Sequence, residues 1–169
     1  LGGIYAGNGI EFANSSSDAS VKNSTISDIF DSGVSPQTFS SNEMAANFVF
    51  ENLTITRCGF AGLEIAALYN GGAANSSIAN VTARNLVISE SGNGWSARRY
   101  GTEGRGIKIV ADITGGDATR SLSGIVVEKC QIFNNQGEGI FIGGKAGNVI
   151  IRESAIYNNQ QDGILAQEA

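Results

Sequence analysis

Ile132-Phe-Asn-Asn-Gln-Gly-Glu-Gly-Ile140 and Ile156-Tyr-Asn-Asn-Gln-Gln-Asp-Gly-Ile164 are one phrase written twice, 24 residues apart. Each starts at an isoleucine, passes through a polar turn and reaches a glycine at the seventh position. Further back, Ile26 and Ile55 are followed by Gly33 and Gly62 at the same distance, and Ile88 ends the same local phrase without a glycine in step. The frame is constant while the copies lie 24 to 44 residues apart. That is the mark of a solenoid in which each copy is one layer of a continuous core.

With each isoleucine as position zero, positions −7 and −5 read Ala19 and Val21, Phe48 and Phe50, Val81 and Ala83, Ile125 and Val127, Val149 and Ile151. All are apolar, and period-two placement puts them on one face of a strand. The isoleucine, after a small polar bend, begins a second inward stretch. A third strand follows the glycine, as in Gly9-Ile-Glu-Phe12, Gly62-Leu-Glu-Ile65, Gly106-Ile-Lys-Ile109, Gly139-Ile-Phe-Ile142 and Gly163-Ile-Leu-Ala166. Three short strands per rung, all turning the same way, predict an all-β parallel β-helix of about five rungs with no substantial helix, layers about 4.8 Å apart and right-handed coiling. Residues at equal frame positions then stack. Position −3 carries Asn23, Asn52 and Asn85 before changing to Lys129 and Glu153, and Asn134-Asn135 and Asn158-Asn159 occupy the turn after the isoleucine. Asparagine tolerates the left-handed conformation, so these columns are expected to satisfy turn groups rung after rung.

The 169 residues make one domain, 1–169, with no compositional hinge. Few charges, 23 glycines and abundant Ser, Thr and Asn suit short strands joined by tight turns. A net charge of −5 without a basic stripe argues against nucleic acid, and no run approaches the roughly 18 apolar residues of a membrane span. Cys58 and Cys130 fall at different frame positions two rungs apart, so both read as buried thiols, not a disulfide. Five Asn-x-Ser/Thr triplets start at Asn14, Asn23, Asn52, Asn75 and Asn80; frequent Asn, Ser and Thr account for them most simply. The chain opens in the middle of a repeat, which leads us to expect a segment of a longer protein.

The two phrases quoted first resemble the rung consensus of the right-handed parallel β-helix repeat proteins, the broad pectate-lyase-like superfamily, and the resemblance covers nearly the whole chain. It implies a secreted, cell-surface or periplasmic protein that cuts, epimerises or holds an acidic polysaccharide, or a tailspike or adhesin built on the same core. Arg105-Gly-Ile-Lys108 is similar to the Arg-x-Lys element of polygalacturonases, but one residue longer. Their Asn-Thr-Asp, Asp-Asp and Gly-His-Gly elements are missing, and the chain has no histidine. That absence also removes triads that need His and the usual His/Cys zinc sites.

Chemistry is sought first where the frame breaks. Seventeen residues separate Ile88 from Gly106 where six are regular, an insertion of eleven in the loop 92–105. It holds Trp95, Arg98, Arg99, Tyr100 and Arg105, the residues expected to bind substrate: aromatic faces stack on sugar rings and Arg forks grip anionic groups. The same aromatics also suit a lid over neighbouring rungs. On the strand after the glycine, Glu11, Ser35, Glu64, Lys108, Phe141 and Leu165 form an outward row. Glu64 and Lys108 become neighbours, most simply a cross-strand ion pair. Alternatively Lys108, or Arg105 beside it, removes a sugar C5 proton, and Lys108 with Glu64 or Glu138 is the candidate catalytic set. Glu138 and Asp162 share one frame position on consecutive rungs. They are candidate ligands for Ca²⁺ or a carboxylate pair of glycosidase type, with solvated turn acids as the plain reading.

Two functional readings follow. The first is a carbohydrate-active β-helix, a polysaccharide lyase, epimerase or glycosidase acting on an acidic glycan bound along the strand after each glycine. The second is a non-catalytic tailspike, adhesin or binding platform. Val49, Val126 and Ile150, at the outward position between two inward residues, favour the second as an apolar row expected to meet another subunit or a missing loop.

Overall fold

The computed structural model describes residues 7–68, 75–93, 103–111 and 119–167, and the regular elements among them are all strands. The strands that follow the glycines, β1 (Ile10–Ala13), β3 (Val34–Thr38), β5 (Ala61–Ala67), β8 (Arg105–Ala111), β11 (Ile140–Gly144) and β14 (Ile164–Gln167), form one sheet in that order. Every pairing is parallel, and Ile10, Val34, Leu63, Ile107, Ile140 and Ile164 stand opposite one another in turn. This is the post-glycine sheet.

The second sheet collects the remaining strands: β2 (Ser20–Ser27), β4 (Met44–Thr56), β6 (Ser77–Arg84), β7 (Val87–Ser89), β9 (Ser121–Glu128), β10 (Gln131–Phe133), β12 (Val149–Arg152) and β13 (Ala155–Tyr157). Ile26, Ile55, Ile88, Ile132 and Ile156 pair successively across it. The isoleucine column read from sequence is therefore a physical column. Strands β2 and β4 run unbroken through the bend between the −5 and zero positions, where a single residue takes the left-handed conformation. Such residues recur every five positions. Asp18, Asn47, Asn80, Gly124 and Asn148 hold position −8; Asn23, Asn52, Asn85, Lys129 and Glu153 hold −3; Asp28, Arg57, Glu90, Asn134 and Asn158 hold +2, all with φ between 51° and 66°. A further extended segment, from −11 to −9 in β4, β6 and β9, adds Ala45, Ile78 and Leu122 to the core.

Asparagine suits these corners because its amide reaches the next layer. Asn52 donates to Asn23 and Asn85 to Asn52, at 2.9 and 3.1 Å, and Asn80 and Asn47 continue a parallel chain to Asp18. All five asparagines of the Asn-x-Ser/Thr triplets have left-handed φ, and four of them, Asn23, Asn52, Asn75 and Asn80, carry side-chain hydrogen bonds to other layers. The triplets thus follow from the frame.

The glycine has a different cause. A Cβ on Gly62 would lie 2.3 Å from Ile88 Cγ2, and one on Gly106 would lie 2.3 Å from Ile132 Cγ2, far inside contact distance. Each isoleucine of one rung fills the Cβ space of the glycine in the rung before, so the two letters of the motif are one packing unit. The interior is otherwise mostly Phe, Leu, Ile, Val and Ala, with Phe12, Phe48 and Phe50 clustered at centroid distances of 5.4 to 6.1 Å. Cys58 and Cys130 are free and buried, and burial pushes the Cys58 thiol up to about 12.

Position −4 of the second sheet carries a column absent from the sequence reading. Lys22, Glu51, Arg84, Glu128 and Arg152 stand in register with strictly alternating charge. Pairs close at 3.5 Å for Lys22–Glu51, 2.8 Å for Arg84–Glu51 and 2.6 Å for Arg152–Glu128. Alternation penalises a one-rung slip, which would bring like charges together.

Candidate functional site

Register on the post-glycine sheet decides what meets what. Glu64 in β5 stands opposite Lys108 in β8, and Lys108 stands opposite Phe141 in β11. The side chains of this row alternate with the core residues Leu63, Ile65, Ile107 and Ile109, so they project from the outer face. Yet Ser35 is fully buried, Glu64 and Phe141 are nearly so, and every residue of β5 is buried. An outer face built from polar residues and hidden from water requires internal partners.

Those partners are present. Glu64 Oε2 accepts from Ser32 Oγ at 2.9 Å and Gln37 Nε2 at 2.8 Å, while Lys108 Nζ lies 3.3 Å from Glu64 Oε1. Gln37 also donates to Ser35. Arg105 Nε donates to Glu138 Oε2 at 2.8 Å and its Nη1 reaches Glu103 Oε2 at 2.6 Å, with Lys108 Nζ 3.6 Å from that same oxygen. The result is a chain of alternating charge, Glu64, Lys108, Glu103, Arg105, Glu138, drawn from three successive rungs. Two phenyl rings flank it: the Arg105 guanidinium lies 4.2 Å from the Phe141 centroid and the Lys108 ammonium 4.2 Å from that of Phe60.

Beside this chain an open groove of about 290 Å³ is lined by Asn8, Asp31, Gln37, Phe39, Phe60, Glu64, Leu68 and Lys108. One end of the ion-pair chain therefore faces the groove. Aromatic and aliphatic surface sits there next to donors, carboxylates and one ammonium.

The sequence-based candidates divide accordingly. Lys108 and Glu64 meet as the cross-strand ion pair. Arg105 joins them through Glu103. Glu138 is buried against Arg105 instead of lying as a solvated turn acid, whereas its frame partner Asp162 is exposed. Among the described residues no group of three or more His, Cys, Asp or Glu is arranged to hold a metal ion. Trp95, Arg98, Arg99 and Tyr100 lie outside the described residues. Glu103, Ser32, Gln37 and Phe60 were missed; the first ends the insertion, and the others meet the row only because rungs stack. On the second sheet, Val49 and Val126 are half-buried and Ile150 is exposed, with Thr82 standing between the two valines.

The family model described as the right-handed β-helix region matches residues 8–169. The chain belongs to that family, and its coiling is right-handed accordingly. No curated protein and no solved structure matches it.

Proposed function

We propose that this β-helix is a carbohydrate-binding platform that holds an acidic glycan along the outer face of its post-glycine sheet, with the groove at Phe39, Phe60 and Lys108 as a subsite. The composition of that groove carries the reading. Sugar C–H faces pack on the half-buried Phe39 ring, hydroxyls bond to Asn8, Asp31 and Gln37, and Lys108 meets an anionic substituent. Trp95, Arg98, Arg99 and Tyr100 extend the same chemistry along the 92–105 insertion. An extracellular, cell-surface or periplasmic setting goes with such a ligand.

Lyase, epimerase or glycosidase chemistry would fall to Lys108 with Glu64 or Glu138. The contacts of these groups favour the second reading, a binding platform without turnover. Glu64 already accepts from Ser32 and Gln37 and faces Lys108, Lys108 also faces Glu103, and Glu138 is held by Arg105. A proton-transfer group needs a free position toward its substrate.

Titration calorimetry with pectate, alginate and glycosaminoglycan oligomers, with and without Ca²⁺, tests the binding claim. Absorbance of unsaturated products and released reducing ends tests turnover. We expect binding without product, weakened about fivefold or more by Phe39→Ala or Trp95→Ala, in line with stacking worth about 1 kcal/mol or more. Absence of binding across the panel refutes the proposal; product formation abolished by Lys108→Ala would instead establish the enzyme.

A further inference from the structure

The ion-pair chain holds three carboxylates against two cations, and they are not equivalent. Glu64 and Glu138 come from the rungs on either side of β8 and their side chains are 5 % exposed. Glu103 lies two residues before Arg105 in the chain, and its side chain is 38 % exposed. It nonetheless takes the central place: one oxygen, Oε2, faces both Arg105 Nη1 and Lys108 Nζ. With Glu103 set aside, Lys108–Glu64 and Arg105–Glu138 remain as two complete pairs, and each cation keeps a donor directed at the vacated position. A carboxylate entering from solvent would meet the same two donors and leave the charge balance as it stands.

We infer that Glu103 is a resident stand-in for a ligand carboxylate: it occupies the anion position between Lys108 and Arg105 and gives way to a uronate carboxyl of a bound glycan. This rests on the glycan-binding reading and adds to it a specificity-determining residue. The exchange is favoured by asymmetry, because releasing an exposed, chain-local side chain disturbs no strand pairing, whereas Glu64 and Glu138 are each tied into a neighbouring rung. A ligand without a negative charge does not compete for this position, because only a carboxylate replaces the charge-assisted bonds that Glu103 makes to the two donors.

The test uses the full chain with trigalacturonate and its neutral methyl ester as probes, comparing wild type, Glu103→Gln and Glu103→Ala. Glu153→Gln, on the second sheet, controls for the change in net charge. Both Glu103 variants are expected to bind trigalacturonate at least about fivefold more tightly than wild type, the lower end of a usual coupling between two sites. Glu153→Gln should leave affinity unchanged, and the methyl ester should gain nothing. If wild type binds trigalacturonate and both Glu103 variants bind it equally or more weakly, the exchange is overturned while glycan binding stands. If no form binds either probe or the wider glycan panel, the underlying reading falls and takes this one with it. A purely structural Glu103 would lower the melting temperature of both variants without changing the preference for acid over ester.

Discussion

Replacing Gly62 by alanine tests the packing unit on which the fold rests. The new Cβ would sit 2.3 Å from Ile88 Cγ2 and 2.8 Å from the Gly106 carbonyl oxygen, where carbon atoms normally approach to about 3.5–4.0 Å. Neither neighbour yields readily: the carbonyl belongs to the adjoining layer, and Ile88 is fully buried with a χ1 stiffened by β-branching. Overpacking of this kind costs about 1–3 kcal/mol, set against about 0.4–1 kcal/mol gained from a stiffer unfolded chain. Gly163 occupies the same frame position, but there a Cβ would meet Ile156 Cγ2 at 3.8 Å, an ordinary contact. Gly163→Ala should therefore be neutral or slightly stabilising. Urea unfolding followed by far-ultraviolet circular dichroism should place Gly62→Ala roughly 1–3 kcal/mol below Gly163→Ala, or about 2–10 °C in melting temperature. Truncating Ile88 to alanine as well should recover at least about 1 kcal/mol relative to the sum of the single changes, because the two side chains compete for one space. Equal stability of Gly62→Ala and Gly163→Ala, or strict additivity in the double variant, would refute the account of why Ile and Gly recur together.

Hydrogen bonding from Arg84 holds the Glu51 carboxyl below its ordinary value of 4.5, and Arg57 does the same for Asp28, whose ordinary value is 3.8. A lowered folded-state value gives stability that is complete above the ordinary value and is lost as pH falls through the folded one. Melting temperatures recorded from pH 7 to 3 should drop below about pH 4.5, and less steeply for Glu51→Gln; parallel curves would show that the charge column adds nothing. At Lys129, φ is 55°, and the side chain stands in the column that carries Asn23, Asn52 and Asn85. Lys129→Asn should relieve part of the roughly 1–2 kcal/mol left-handed penalty and extend the amide chain from Asn85, outweighing an exposed 3.9 Å ion pair to Glu153. A rise of about 2–4 °C is expected, and an unchanged or lower midpoint would contradict the ladder argument.

The core was legible because its signals repeat within each rung. Apolar residues at −7, −5 and zero, and the first and third after glycine, align without knowledge of the spacers, and they form stacked inward columns up to the last rung, where Ile164 and Ala166 are exposed. Corners were legible only where asparagine occupies them. Arg57, Glu90, Lys129 and Glu153 adopt the same left-handed conformation without a residue type that announces it, because the layers on either side impose it. The alternating column from Lys22 to Arg152 escaped notice for a related reason: its pattern runs across rungs, and within any one strand it is a single charged residue. Glu64 and Lys108 were found because they lie on one frame row. Glu103 was not, because the insertion removes it from the frame.

Repetition itself separates scaffold from site. Columns that repeat one chemical type, the isoleucines, the glycines and the corner amides, are explained by the contact each makes with its own copy above and below. The −4 column alternates, yet alternation is also a rule, and each of its charges stands in register with an opposite charge on the neighbouring rung. The outer row of the post-glycine sheet obeys no such rule: Glu11, Ser35, Glu64, Lys108 and Phe141 differ in chemistry from rung to rung, and only Phe141 and Leu165 are alike. Stacking demands nothing of this row, since it faces away from the core. Nevertheless Ser35 and Glu64 are buried and Lys108 nearly so, and hiding charge costs several kcal/mol per ion before partners offset it. Apolar residues at those positions would have satisfied the fold without that penalty. The polar row, together with the partners Ser32, Gln37, Glu103 and Arg105 that make it tolerable, is therefore what the scaffold holds in place and does not itself require, and this is the physical ground for proposing a ligand site on that face.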